Sequence, residues 1–226
     1  MVITKIGGGV GNQMFDYAVG RRLSLKLNSA LKLDISEFDE LKVHDGYELK
    51  YFNIVGDIVT PEERKYVRRK SAERGFGIKR EIGYGSGHAG FMPEVLDYPD
   101  DVELNGCWQT EKYFADIAEV IRRDFTLKEL GGAVTEAWLK KIRAEDCAVS
   151  LHIRHGDYVL NQLRALSSGV IPIEYYARCI ERLKAELGEN FTLFVFSDNI
   201  DWAKHNLYFG VPINFVEGCE RNVDEI

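Results

Sequence analysis

"VITKIGGGVGNQMFDYAVGRRLSLKLNSALKLD", residues 2–34, decides the fold class. Its first five residues, "VITKI", read as a short strand, and a glycine-rich turn, "GGGVGNQ", follows at 7–13. Phe15, Ala18, Val19, Leu23 and Leu27 then recur at helical spacing, which predicts an amphipathic helix. "ALKLD" at 30–34 reads as a second strand. Two strands joined through a helix normally lie parallel in one sheet, so the unit implies an α/β fold of Rossmann-like type.

The same alternation returns in the second half of the chain. "GGAVTEAWLKKI" (131–142) predicts a helix and "CAVSLHI" (147–153) a strand. "IPIEYYARCIERLKAELG" (171–188) predicts a helix with Pro172 near its start and Gly188 as its stop; Ile173, Tyr176, Ala177, Ile180 and Leu183 form its buried face. "FTLFVF" (191–196) is a continuous apolar run, as in a strand covered on both faces. Between the halves, "TEKYFADIAEVIRRDF" (110–125) predicts one helix, capped by Thr110 and striped by Phe114, Ile117, Ala118 and Ile121. A hinge is expected within 127–147. The domains drawn from this are an N-terminal one at 1–135 and a C-terminal one at 136–226.

Composition narrows the function. The chain has 226 residues, 45% of them hydrophobic and 12% aromatic, enough for two small packed α/β domains. With 29 Lys and Arg against 36 Asp and Glu, its net charge of −7 argues against nucleic acid as a partner. The four cysteines are scattered, without a C-x-x-C pair or a nearby His at zinc spacing; Cys147 and Cys179 read as buried thiols in a reducing compartment. "MVITKIGGG" is too short and glycine-broken for a signal peptide, and no apolar run approaches a membrane span. A cytoplasmic protein is expected. Residues 62–80 carry eight Lys and Arg against three Glu, and two readings stand: a solvated helix, or a basic flap that meets an anionic acceptor or the inner membrane surface peripherally.

Three polar stretches lie at the carboxyl ends of expected strands, where open parallel sheets bind ligands. In the first, Gly7, Gly9 and Asn12 take G-x-G-x-x-G spacing, but Asn12 stands where the dinucleotide fingerprint has its third glycine. Bare backbone N–H groups opening onto a helix would still attract phosphate, unless the glycines only make a tight turn. Asp34 lies where a ribose-binding acid would, which keeps a nucleotide-dependent oxidoreductase open as an alternative.

In the second, "HIRHGDY" (152–158), alternation puts His152 and Arg154 on one side of the strand and His155 on the other, as a surface or packing residue. Arg154 can fork onto a pyrophosphate, or pair with Asp157 to stitch the strand end. In the third, "FSDN" (196–199), Asp198 can accept from N1–H and N2–H₂ of a guanine, or cap the helix that follows. No Asp-x-Asp pair occurs for a metal-bridged diphosphate, and no G-x-S-x-G elbow for a serine hydrolase.

The chain resembles the α-1,2-fucosyltransferases of glycosyltransferase family 11. The resemblance rests on "GGGVGNQMFDYAVGRRL", "YFNI", "GCWQTEKYFADIAEVIRRDF", "HIRHGDYV", "IPIEYYARCI" and "FVFSDNIDW", in that order along most of the chain. It implies a GT-B-like architecture, two Rossmann-like domains facing across a cleft, with residues 1–135 on the acceptor side and 136–226 as the donor domain. It also implies inverting transfer of L-fucose from GDP-β-L-fucose to the 2-hydroxyl of a galactoside in a bacterial-type surface glycan, without a metal or other cofactor. By this carry-over Arg154 grips the diphosphate, Gly9, Gly11 and Asn12 close on the donor, and His152, Ser197 and Asp198 lie near the nucleoside. Asp157 is the nearest carboxylate for the acceptor proton; orienting Arg154 is its other role.

Three departures from the pattern matter. His155 replaces a usual second arginine, and Asn199 stands where a second Asp is common. The chain also stops before the family's Ser- and Trp-rich segment, so an incomplete C-terminal domain is expected. A GDP-sugar-binding remnant without turnover therefore stays open beside the active enzyme.

Overall fold

The computed structural model describes residues 1–40, 46–75, 79–80, 90–106, 108–155, 171–219, 221 and 223. Two compact units divide the chain, Met1–Glu129 and Leu130–Ile226. The division falls slightly ahead of the boundary drawn at 135/136, so the helix Ala133–Arg143 belongs whole to the second unit.

The first unit holds β1 (Val2–Lys5), α1 (Val10–Leu27), β2 (Leu31–Asp34), α2 (Ser36–Glu40), β3 (Asp57–Ile58), α3 (Pro61–Glu73), β4 (Lys79–Arg80), β5 (Val102–Asn105) and α4 (Ala118–Asp124). Its sheet runs in the order β3-β2-β1-β5-β4. Every neighbouring pair is parallel, with Val2 opposite both Leu31 and Val102. The chain winds from β1 outward through β2 and β3, then resumes on the other side with β4 and β5. That reversal puts a topological switch point at the carboxyl ends of β1 and β5, the position where such sheets open a crevice.

Central strand β1 is buried through Val2, Ile3 and Thr4. Helix α1 buries the expected Ala18, Val19 and Leu23, but also Gln13, Asp16, Tyr17, Gly20 and Ser24. Buried polar groups of this kind must be hydrogen-bonded, and these are. Thr4 Oγ1 donates to the Asp16 carbonyl at 2.9 Å. The Tyr17 hydroxyl donates to Asp124 Oδ2 at 2.7 Å and accepts from the Val55 N–H at 3.0 Å. Arg21 Nε also donates to Asp124 Oδ2, at 2.9 Å. Gly20 allows close approach: a Cβ there would lie 2.9 Å from the Thr4 side chain.

The single helix expected over 110–125 is broken. Two 3₁₀ turns, Glu111–Tyr113 and Ala115–Ile117, precede α4, and Phe114 between them has φ −143° and ψ 16°. Two adjacent aromatic rings are drawn into different surroundings. Tyr113 packs edge-on against Trp108 at 5.5 Å, and its hydroxyl accepts from the Met92 N–H at 2.9 Å. Phe114 instead meets Phe15 of α1 at 6.0 Å. A regular helix cannot satisfy both. Thr110 still caps, but caps the first 3₁₀ turn, accepting from the Lys112 N–H.

The second unit holds α5 (Ala133–Arg143), β6 (Ala148–Ile153), α6 (Ile173–Leu187), β7 (Thr192–Ser197), α7 (Ile200–Asn206) and β8 (Ile213–Phe215). Its sheet is parallel in the order β6-β7-β8. The central strand is covered on both faces, as its unbroken apolar run requires. Val195 packs with Ile153, Tyr176, Ala203 and Leu207, while Phe194 meets the Trp138 ring at 6.5 Å. Tyr176 and Ile180 are the fully buried residues of α6, and Gly188 closes it at φ 77°. Cys147 and Cys179 are free thiols but only half-buried, a correction to the expectation. Cys147 packs at the rim of the cluster formed by Ile180, Phe191 and Leu193.

The molecule is thus α/β, built from two Rossmann-like units with parallel sheets.

Candidate active site

Strand alternation in β6 sends Leu151 and Ile153 inward and leaves His152 and Arg154 exposed on the other face. Pairing of His152 with Phe196 and of Ile153 with Ser197 brings the carboxyl ends of β6 and β7 level. Residues just beyond the two strands therefore meet. Arg154 Nε lies 3.4 Å from Asp198 Oδ2, and Asp198 Oδ1 accepts from the His155 N–H at 2.7 Å.

Asp198 is not the cap of the following helix. Asn199 takes that place, its side chain accepting from the Trp202 N–H at 3.1 Å, and the Ser197 hydroxyl accepts from the Asn199 N–H at 3.1 Å. With the cap supplied by its neighbour, Asp198 is left to hold Arg154. The strand-end stitch foreseen between Arg154 and Asp157 is seen here with Asp198; Asp157 lies outside the described residues. The Arg154 side chain stays about half exposed, at 47%.

His155 stacks flat on Trp202, rings 3.7 Å apart and 14° from parallel. Its Nδ1 is buried and has no hydrogen-bond partner among the described residues. Trp202 carried no signal of its own; the spacing of "SDNIDW" places it one turn into α7, where it faces back to the strand ends.

In the first unit the glycine turn occupies the switch point after β1. The bare amides expected from the sequence are in part already bonded. The Gly7 N–H donates to Asp16 Oδ2 at 3.1 Å, and the Gly8 N–H donates to Glu37 Oε1 at 3.3 Å. Glu37 in turn pairs with Lys5 at 3.1 Å. Gln13, fully buried, donates to the carbonyls of Gly8 and Gly46 and accepts from the Glu48 N–H, tying the turn to the loop after α2.

Gly8 needs its glycine, at φ +68° and with the Asn12 amide 2.5 Å from where a Cβ would be. Around Gly9 and Gly11 a Cβ would touch nothing within 4 Å, so the start of α1 is open on that side. Asn12 Oδ1 accepts from Gln109 Nε2 at 2.6 Å. Gln109 is brought there by Trp108, buried and at φ 50°, a left-handed conformation that turns the chain back after β5. Sequence reading missed Gln13, Asp16, Glu37 and Gln109. Their pairing depends on tertiary neighbours, and only the adjacency of Gln13 to Asn12 hinted at it.

Asp34, the acid wanted by an oxidoreductase, is committed elsewhere. It is 2% exposed, accepts from the Ser36 N–H at 3.0 Å and pairs with Arg64. The basic stretch is largely neutralised from within. Arg68 forks onto Glu103 at 2.6 and 2.7 Å, Arg69 and Lys70 meet Glu73, and Arg74 meets Asp101. No helix among the described residues is long and apolar enough to cross a membrane.

Parallel α/β units with charged side chains gathered at strand ends define a protein built to bind a polar ligand. Comparison with known proteins gives the family. The family described as "Glycosyl transferase family 11" matches residues 90–219. An alpha-1,2-colitosyltransferase of Escherichia coli is 32% identical over 99% of this chain and 79% of its own length. The O-antigen biosynthesis glycosyltransferase WbnK of Escherichia coli is 31% identical over 93% of this chain and 76% of its own. Among solved structures, the fucosyltransferase NodZ from Bradyrhizobium aligns over 96% of this chain and 77% of its own, at 11% identity and a TM-score of 0.48. The chain belongs to glycosyltransferase family 11, and it is a glycosyltransferase.

Proposed function

We propose that this glycosyltransferase moves L-fucose from GDP-β-L-fucose to the 2-hydroxyl of a galactoside in an O-antigen-type glycan, inverting the anomeric centre without a metal. The observation that carries the donor half of this reading is Arg154, held by Asp198 at the shared carboxyl end of two parallel strands. As the sugar–phosphate bond breaks, negative charge collects on the leaving diphosphate. A guanidinium offers it permanent positive charge and a planar fork of donors, the role a metal fills in other transferases. Asp198 limits where that fork can point, which reduces the reorganisation needed at the transition state.

His152 and Ser197 are assigned to the nucleoside, and Gly9, Gly11 and Asn12 to the donor as well. Asp157 is assigned to the acceptor proton. Supporting the linkage, the name of the relative at 32% identity specifies an alpha-1,2 product. That same name supports a second reading of the donor: colitose is L-fucose without its 3-hydroxyl, so an activated colitose is the competitor to test. The cytoplasm is the compartment we assign, where nucleotide-activated sugars are made. Peripheral contact with the inner membrane through residues 62–80 would have to use Lys65 or residues beyond α3, since Arg64, Arg68, Arg69, Lys70 and Arg74 are already paired.

Arg154→Ala is expected to lower fucosyl transfer by about 10²–10³-fold, the usual effect of removing one preorganised charge-stabilising donor. A radiolabelled-donor assay with both activated sugars measures it. Turnover equal to wild type in that variant would defeat the assignment.

A further inference from the structure

A cavity of about 530 Å³ opens on the first unit where β2 and β3 end and α3 begins. We propose that it binds the anionic group of a saccharide, a uronate carboxylate or a sugar phosphate, as a subsite for the acceptor; the word acceptor rests on the transferase reading above. Its place, outside the carboxyl ends of parallel strands, is where such sheets present ligand sites. Its size is that of a small-ligand pocket.

The lining charges select an anion. Arg64, Lys65 and Arg68 line the cavity together with Asp34. Asp34 pairs with Arg64 and Glu103 pairs with Arg68. Lys65 is exposed and makes no ion pair among the described residues. Arg64 Nε is buried and has no hydrogen-bond partner among the described residues. That atom is closed to solvent, so the groups that would meet an anion are the Lys65 ammonium and the partly exposed Arg64 and Arg68 side chains. Ile58, Val59 and Pro61 supply an apolar wall suited to the C–H face of a sugar ring.

The N-terminus of α3 is not itself the binding element. Thr60 and Glu63 form a reciprocal capping box that already satisfies it, so recognition falls to side chains. A flat membrane surface fits less well, because the residues further along α3, Arg69, Lys70 and Arg74, are held in ion pairs.

The test is an NMR titration of the isotope-labelled full chain with methyl glucuronide, glucose 1-phosphate and neutral methyl glucoside. Either anion should shift the amides of Ser36, Ile58 and Arg64, while the neutral sugar should not; which anion saturates first identifies the source. Lys65→Glu should weaken that binding by about tenfold or more through charge reversal at the rim. Arg122→Glu, an exposed position on α4, should leave it unchanged. Equal shifts from the neutral sugar, wild-type affinity in Lys65→Glu, or shifts seen only with anionic lipid vesicles would each overturn the proposal. GDP is titrated in parallel and read at His152 and Arg154, so that a failure of the transferase reading is seen separately from a failure of the cavity.

Discussion

Among the described residues α6 and β7 lie between Arg154 and Asp198 in sequence, and the parallel register of β6 and β7 makes the two neighbours. The sequence exposed both residues as polar strand ends. It did not expose their pairing, since a partner in the same loop, Asp157, was equally reasonable on spacing. The same limit applied to Asp198 as a cap: Asn199 beside it serves equally well, and only geometry chose. Buried polar residues on α1 were less legible still. Tyr17 stands outside the apolar stripe read from the sequence, yet it is buried and its hydroxyl joins Asp124 to the backbone of Val55. Burial pushes its phenol above the usual tyrosine range, with the neighbouring carboxylate of Asp124 adding to the rise. Tyr17→Phe is therefore expected to destabilise the fold by about 1–3 kcal/mol, because Asp124 and the Val55 N–H lose a buried partner. Urea unfolding checks it, and an unchanged midpoint would show that water replaces the hydroxyl.

At the scale of elements, periodicity found α1 and α6 from their apolar positions, and an unbroken apolar run found β7, which is covered on both faces. Periodicity failed over 110–125, where Tyr113 and Phe114 are adjacent in sequence but pack in different directions, a conflict no helical stripe reveals. Helix α3 shows the opposite case: "TPEE" announces its start, with Thr60 as cap, Pro61 in the first turn and Glu63 returning the bond. Thr60→Ala is expected to cost about 1 kcal/mol, read as a lowered thermal midpoint. The bond from the Thr60 backbone, followed by Lys32, holds the Glu63 carboxyl below its ordinary value of 4.5. A depressed folded-state value stabilises the native chain above the unfolded value and is lost as pH falls through the folded one. The stability difference between Glu63→Gln and wild type should accordingly shrink in acid below that ordinary value. A difference that is constant with pH would separate the carboxylate from the cap.

For the whole molecule, strand–helix alternation made the fold class legible, and polar strand ends pointed to where ligands are held. What alternation cannot encode is how each sheet is ordered. The winding of the first unit reverses between β1 and β5, which brings Gln109 to one side of the glycine turn while the end of β2, with Asp34 opposite Lys5, lies on the other. The strand order is shared with dinucleotide-binding sheets; what separates this turn from their fingerprint is Asn12 at the third glycine position and the ion pair that commits Asp34 to Arg64.

The central claim is the reaction itself, and the linkage formed tests it most directly. The protein is incubated with GDP-β-L-fucose and a β-galactoside, and the product is read by NMR. The expected result is GDP release matched by one new α-1,2 fucosyl linkage, without added divalent metal and lowered about 10²–10³-fold by Arg154→Ala. Fucose attached at another hydroxyl, GDP released without a glycoside product, or transfer that requires a metal would contradict it.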